Sequence, residues 1–177
     1  MANPAGAHGG TAGAALQNHD ELVAVVNELI ETCRDGEFGF TACAERADGQ
    51  PLRSLLQVRA ADCRRAEIEL ETEVVRLGGR PGRGLCASAG QARGWSAVRR
   101  GLDGASDQEM LEECVRGEAA ALVRYREALR RPMPQGLRAV VENHYQGLGR
   151  QHAHLLAMRQ PGRAATAEAA SAACPRA

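Results

Sequence analysis

The chain has 177 residues, with 22 basic side chains against 22 acidic ones, and is 44% hydrophobic but only 3% aromatic. A neutral balance gives no electrostatic attraction to nucleic acid or an anionic bilayer, and no apolar run approaches the ~20 residues of a membrane span; neither partner is expected. The apolar residues are mostly Ala, Leu and Val, mixed with Glu and Arg, a composition that favours helix over strand and hence an all-α domain.

The opening "MANPAGAHGGTAGAALQNHD" has neither the charged n-region nor the apolar h-region of a secretory signal. The cysteines, Cys33, Cys43, Cys63, Cys86, Cys114 and Cys174, form no CxxC pair. Thiols packed in a reducing cytoplasm are expected. Residues 1–17 and 161–177 are Ala/Gly/Pro-rich and read as disordered tails around one domain over 18–160.

The first helix is expected from about Asp20 to Ala47, with Asn18 and Glu21 as a capping pair. Its apolar positions, Leu22, Val25, Val26, Leu29, Ile30, Cys33 and Phe40, recur at three- and four-residue steps. The second opens at Pro51, a favourable first-turn residue, carries Leu52, Leu55, Leu56, Cys63, Ala66, Leu70, Val74 and Leu77, and stops at Gly78-Gly79. The third opens at Ser106, with Glu109 completing a capping box, and ends at "RPMP". The fourth runs from about Pro134 to Arg159 through Leu137, Val140, Val141, His144, Leu148, Leu155 and Met158.

Four helices of roughly 40 Å suit a four-helix bundle. Tight turns make hairpins of the first and second helices and of the third and fourth. Residues 79–105 form a far longer connection, long enough to run back along the bundle. Within it, "SAGQARGWSAVRRGL" reads as a short helix whose Trp95, Val98 and Leu102 cover an end or side of the bundle.

A shift of 81 residues lays "ETCRDGE", residues 31–37, over "EECVRGE", residues 112–118, so both read Glu-x-Cys-x-x-Gly-Glu. The same shift matches Pro51 with Pro132 and Cys63 with His144, as in two pseudo-symmetric hairpins. A mid-helix glycine costs about 1 kcal/mol against alanine, so Gly36 and Gly117 call for a local reason. A close helix contact and a π-bulge both supply one. The adjoining Glu37 and Glu118 fall on or beside the buried stripes, near mid-bundle.

The stretches "NELIETCRDGEFGF", "EVVRLGGRP", "GWSAVRRGL", "LEECVRGEAAALVRYREAL" and "ENHYQGLGRQHAHLLAMR" resemble an uncharacterised bacterial four-helix-bundle family of the ferritin-like superfamily. The resemblance covers residues 20 to 159. It implies a ferritin-like bundle and no particular reaction.

A ferritin-like di-iron centre takes one Glu from each of two helices and Glu-x-x-His from each of the other two. Glu37 and Glu118 match the single-glutamate positions, expected to face residues 62–65 and 144–148. There the chain has Asp62-Cys63-Arg64-Arg65 and Asn143-His144-Tyr145-Gln146, neither of them Glu-x-x-His. The candidate metal set is therefore Glu37, Glu118, His144 and His152, with Asp62 and Glu69 as weaker members, for iron or another divalent metal. The rival reading makes the glutamates structural charges, paired with Arg64, Arg65 or His144, or bonded to Tyr125 or Tyr145. Under it the protein is a non-enzymatic helical module with a degenerate metal site. A homodimer or other homo-oligomer through helix faces is expected by analogy.

Overall fold

The structure, a computed structural model, describes residues 10–82 and 104–159. Four helices make up these residues: α1 (Gly10–Arg46), α2 (Gln50–Arg76), α3 (Asp107–Leu129) and α4 (Gln135–Met158), with no strand among them. The expected short helix of the connection, with Trp95, lies outside the described residues, as do Cys86, Cys174 and most of both tails.

Local signals set most of the ends. At the start of α3 the Ser106 hydroxyl accepts from the Glu109 N–H at 3.3 Å, and the Glu109 carboxylate accepts from the Ser106 N–H at 2.8 Å. This is the capping box that the spacing predicts. At the end of α2, Gly78 turns left-handed at φ 74°. The Gly78 N–H then reaches the Val75 carbonyl at 2.9 Å and the Gly79 N–H the Val74 carbonyl at 3.0 Å.

The start of α1 differs from expectation. The helix begins at Gly10 and runs through Asn18 and Glu21 without a break, so this pair caps nothing. The physical reason is the run "AALQ" just upstream, whose good helix formers extend the helix past the capping signal.

The topology follows from two sets of hydrogen bonds. Beyond α2, the chain lies against α1: the Gly82 N–H donates to Asn27 Oδ1 at 2.7 Å, and Arg34 donates to the Gly82 carbonyl at 2.6 Å. At the other end of the bundle, Asp107 accepts from the N–H groups of Asp48 and Gly49, both at 2.9 Å, and so fastens the start of α3 to the α1–α2 turn. The two ends of the connection therefore lie at opposite ends of the bundle, and α2 and α3 run parallel. Each hairpin is antiparallel, α1 packs on α3, and α2 packs on α4. This is the ferritin-like four-helix bundle.

Two apolar clusters fill the bundle. One, around Phe40, Leu52, Leu56, Met110 and Leu155, lies toward the α1–α2 turn. The other, around Leu29, Ile30, Leu70, Val74, Leu137 and Val141, lies toward the α3–α4 turn. Polar side chains occupy the layer between them.

Replacing Asp107 by Ala removes both bonds to the α1–α2 turn. We expect a loss of about 1–2 kcal/mol in urea unfolding with an unchanged m-value, since bonds to a charged acceptor contribute on that order. A change below 0.3 kcal/mol would show that the clamp is not stabilising.

Candidate functional site

The middle layer holds a cavity of about 540 Å³, open to solvent on one side and lined by all four helices. Small residues make its space: Gly36 on α1, Ala66 on α2, Gly117, Ala120 and Ala121 on α3, and Gly147 on α4. A Cβ on Gly36 would lie 2.9 Å from Cys63 Sγ, inside contact distance. The glycine thus lets α2 approach α1 at this level. Both twin motifs are regular α-helix, with no π-turn. The close contact is the reason for Gly36.

At one side of this layer Glu118 meets Arg59, their side chains 1% and 4% exposed. The Arg59 Nε–H donates to Glu118 Oε1 at 3.0 Å and a terminal N–H donates to the same oxygen. The other terminal nitrogen reaches Asp62 Oδ2 at 3.3 Å. The guanidinium also stands 5.3 Å from the centre of the Phe40 ring, in cation–π range. Burial pushes the Glu118 carboxyl above the usual carboxylate range, and Arg59 pulls it back down. Arginine does not deprotonate in proteins, so the pair neutralises a fixed positive charge.

The second oxygen of Glu118 has no hydrogen-bond partner, and neither does His152 Nδ1, which lies 3.8 Å from it. Burial, and secondarily Arg159, lowers the His152 pKa, so the ring is neutral at pH 7.

A second polar line crosses the cavity wall. Cys33 Sγ lies 3.3 Å from Tyr125 Oη, which lies 3.4 Å from His144 Nδ1. His144 Nε2 is 2.7 Å from Glu69 Oε2, half exposed at the surface. A buried thiol is so joined to solvent through a phenol and an imidazole. Desolvation raises Cys33 to about 11 and Cys63 to about 12. Asp35, also on the wall, is raised by desolvation against the pull of Arg124.

The structure thus distributes the four candidate ligands rather than gathering them. Glu37 lies toward the surface and pairs with Arg64 at 3.3 Å, within the stretch it was expected to face. Glu118 pairs across to α2 and approaches His152, further along α4 than the expected 144–148. His144 holds Glu69 and Tyr125. Asp62 binds Arg59, Arg65 and Gln151. Among the described residues no three His, Cys, Asp or Glu side chains converge as a metal site. A di-iron centre does not fit this arrangement, because a guanidinium holds the central carboxylate.

Arg59 is the residue that sequence reasoning missed. Its signal was its register: Leu52, Leu56, Arg59, Cys63, Ala66 and Leu70 follow three- and four-residue steps, which put a charge in the apolar stripe.

Comparison with known proteins supplies the frame. The family described as a domain of unknown function (DUF2383) matches residues 21–131. No curated protein matches the sequence. The fold is similar to a two-domain protein from Anabaena variabilis containing dj-1/thij/pfpi-like and ferritin-like domains, with TM-score 0.67 and 18% identity over 80% of this chain. This chain spans 40% of that protein. It is equally similar, at TM-score 0.67 and 15% identity, to the DPS protein of Vibrio cholerae O1, titled a member of a broad superfamily of ferritin-like diiron-carboxylate proteins. That match covers 80% of this chain and 91% of the Vibrio one. A bacterioferritin-related protein of Bacteroides fragilis, titled a dodecameric thioferritin, aligns at TM-score 0.52 and 16% identity over 82% of this chain and 92% of its own. These likenesses establish the fold.

The raised thiols have a measurable consequence. A pKa of about 11 in place of 9.0 leaves Cys33 with about 100-fold less thiolate at pH 8. Alkylation of Cys33 and Cys63 in the folded protein should be slower than in urea by at least that factor, read by peptide mass mapping. Equal rates would contradict the burial that raises them.

Proposed function

This chain belongs to the DUF2383 family, and we propose that it is a non-enzymatic ferritin-like bundle with a degenerate metal site, acting by binding and self-association. The Arg59–Glu118 pair carries this reading. A carboxylate on one helix, at the level where ferritin-like bundles bind metal, is neutralised by a side chain of the same molecule. The departures from Glu-x-x-His at 62–65 and 143–146 support it, since they remove ligands from the facing helices. In this reading iron, the metal of diiron-carboxylate proteins such as the Vibrio one, is not the cofactor of this chain.

Self-association through helix faces accompanies the proposal. The outer surface of α2 carries Val58, Ile68 and Val75, each more than half exposed. The Bacteroides relative is titled dodecameric. Among the described residues no helix is long and apolar enough to cross a membrane. A homo-oligomer in the cytoplasm is the setting we propose.

Two measurements test this. Protein purified without chelator and loaded anaerobically with ferrous iron should retain well under one iron per chain by elemental analysis. Stoichiometric iron that disappears in Glu118→Ala would sink the reading. Light scattering should give a mass above that of one 18.8 kDa chain, falling toward it in Ile68→Glu/Val75→Glu. A monomeric wild type would remove self-association from the account.

A further inference from the structure

We propose that the cavity of the middle layer binds a small organic anion, its apolar body inside and its carboxylate held by Arg150 at a window between α2 and α4. The inference deepens the reading of a bundle that acts by binding, and names the class of ligand.

Two side-chain bridges join α2 to α4 along the cavity wall. The Gln151 amide N–H donates to Asp62 Oδ2 at 2.9 Å, and His144 Nε2 lies 2.7 Å from Glu69 Oε2. The bridges stand two helical turns apart, about 10 Å. Between them the wall is made by Ala66 on α2 and Gly147 on α4. A Cβ on Gly147 would meet only a terminal nitrogen of Arg150, at 3.9 Å, and no atom of α2 within 4 Å. The two helices therefore stand apart between the bridges, and small residues leave a window there.

The lining decides what enters. Phe40, Cys63, Ala66, Ala121 and Leu148 give the cavity an apolar wall. A volume of about 540 Å³ suits an organic molecule of ordinary ligand size, and burial of its apolar body supplies the driving force. The acids of the two bridges are already engaged, Asp62 by Arg59, Arg65 and Gln151 and Glu69 by His144. Arg150 is exposed beside Gly147 and has no ion pair or hydrogen bond among the described residues. Its planar guanidinium can take both oxygens of a carboxylate at once. A cationic head would meet the same charge and find no free acid at the window.

The probe is anilinonaphthalenesulfonate, an aromatic anion whose fluorescence rises and shifts to the blue when it leaves water. Wild type should bind one per chain, saturably. Dodecanoate below its micelle concentration should displace it, and dodecyltrimethylammonium, of equal chain length, should not. Arg150→Glu should weaken the probe by about tenfold or more, the size of one lost charge-assisted contact. Gly147→Leu, which favours helix and fills the window, should abolish binding while the circular dichroism spectrum stays unchanged. Should it not fold, Ala66→Leu on the facing helix takes its place. Binding that survives in a folded window variant, or that is lost in Ile68→Glu/Val75→Glu, puts the probe on the outer surface and overturns the inference. So do absence of saturable binding to wild type, equal displacement by the ammonium, and full affinity in Arg150→Glu. Failure of both window variants to fold also overturns it, because the window was to have room for a leucine side chain. Each of these failures leaves the iron content and the light scattering that test the proposed function untouched.

Discussion

The middle of this bundle is organised around one buried ion pair, Arg59 with Glu118. Two charges leave water there, at a desolvation penalty of several kcal/mol each that only close contact and further hydrogen bonds offset. The structure provides both: three donors from one guanidinium, two acceptor carboxylates and an aromatic face. The pair links α2 to α3, which run parallel through the long crossover and share no turn. It therefore fixes one hairpin against the other at the level where apolar packing is interrupted.

The interruption has its own cause. Glycines and alanines on all four helices leave space in the layer, and the apolar clusters close in only above and below it. A gap lined with polar groups is stable only where those groups find partners. Most do: Cys33, Tyr125, His144 and Glu69 form one line, and Arg59, Glu118 and Asp62 another. The second Glu118 oxygen and His152 Nδ1 are the exceptions. The likeness to ferritin-like proteins and the membership of the DUF2383 family place a bundle around this layer. Its chemistry rests on the side chains of this chain.

Local chemistry made much of the fold legible in the sequence. The Ser106/Glu109 box, Pro51, Gly78 and the prolines after Leu129 mark ends that backbone hydrogen bonding must satisfy wherever they occur. Loop lengths then dictated the hairpins and the crossover. The start of α1 was not legible, because a capping signal inside a run of helix formers has no force. At the site, the repeat pointed to Glu118 and to Gly36 without choosing between a close contact and a π-bulge, and the loop count brought Glu37 to Arg64. It did not separate Glu37, near the surface, from Glu118, at the core: pseudo-symmetric positions share a register but not a neighbourhood. Nor did it give Arg59, since a helix stripe indicates which residues point inward and not which partner awaits them across the bundle.

The central claim is that Arg59 and Glu118 act as one unit. A double-mutant cycle measures this most directly, using urea unfolding of wild type, Arg59→Met, Glu118→Gln and the double variant. Each single change strands a buried charge, whereas the double change leaves only a neutral amide in its place. The account predicts a coupling energy of about 2–3 kcal/mol, with the double variant more stable than Arg59→Met alone. Additive effects, with coupling near zero, would contradict it.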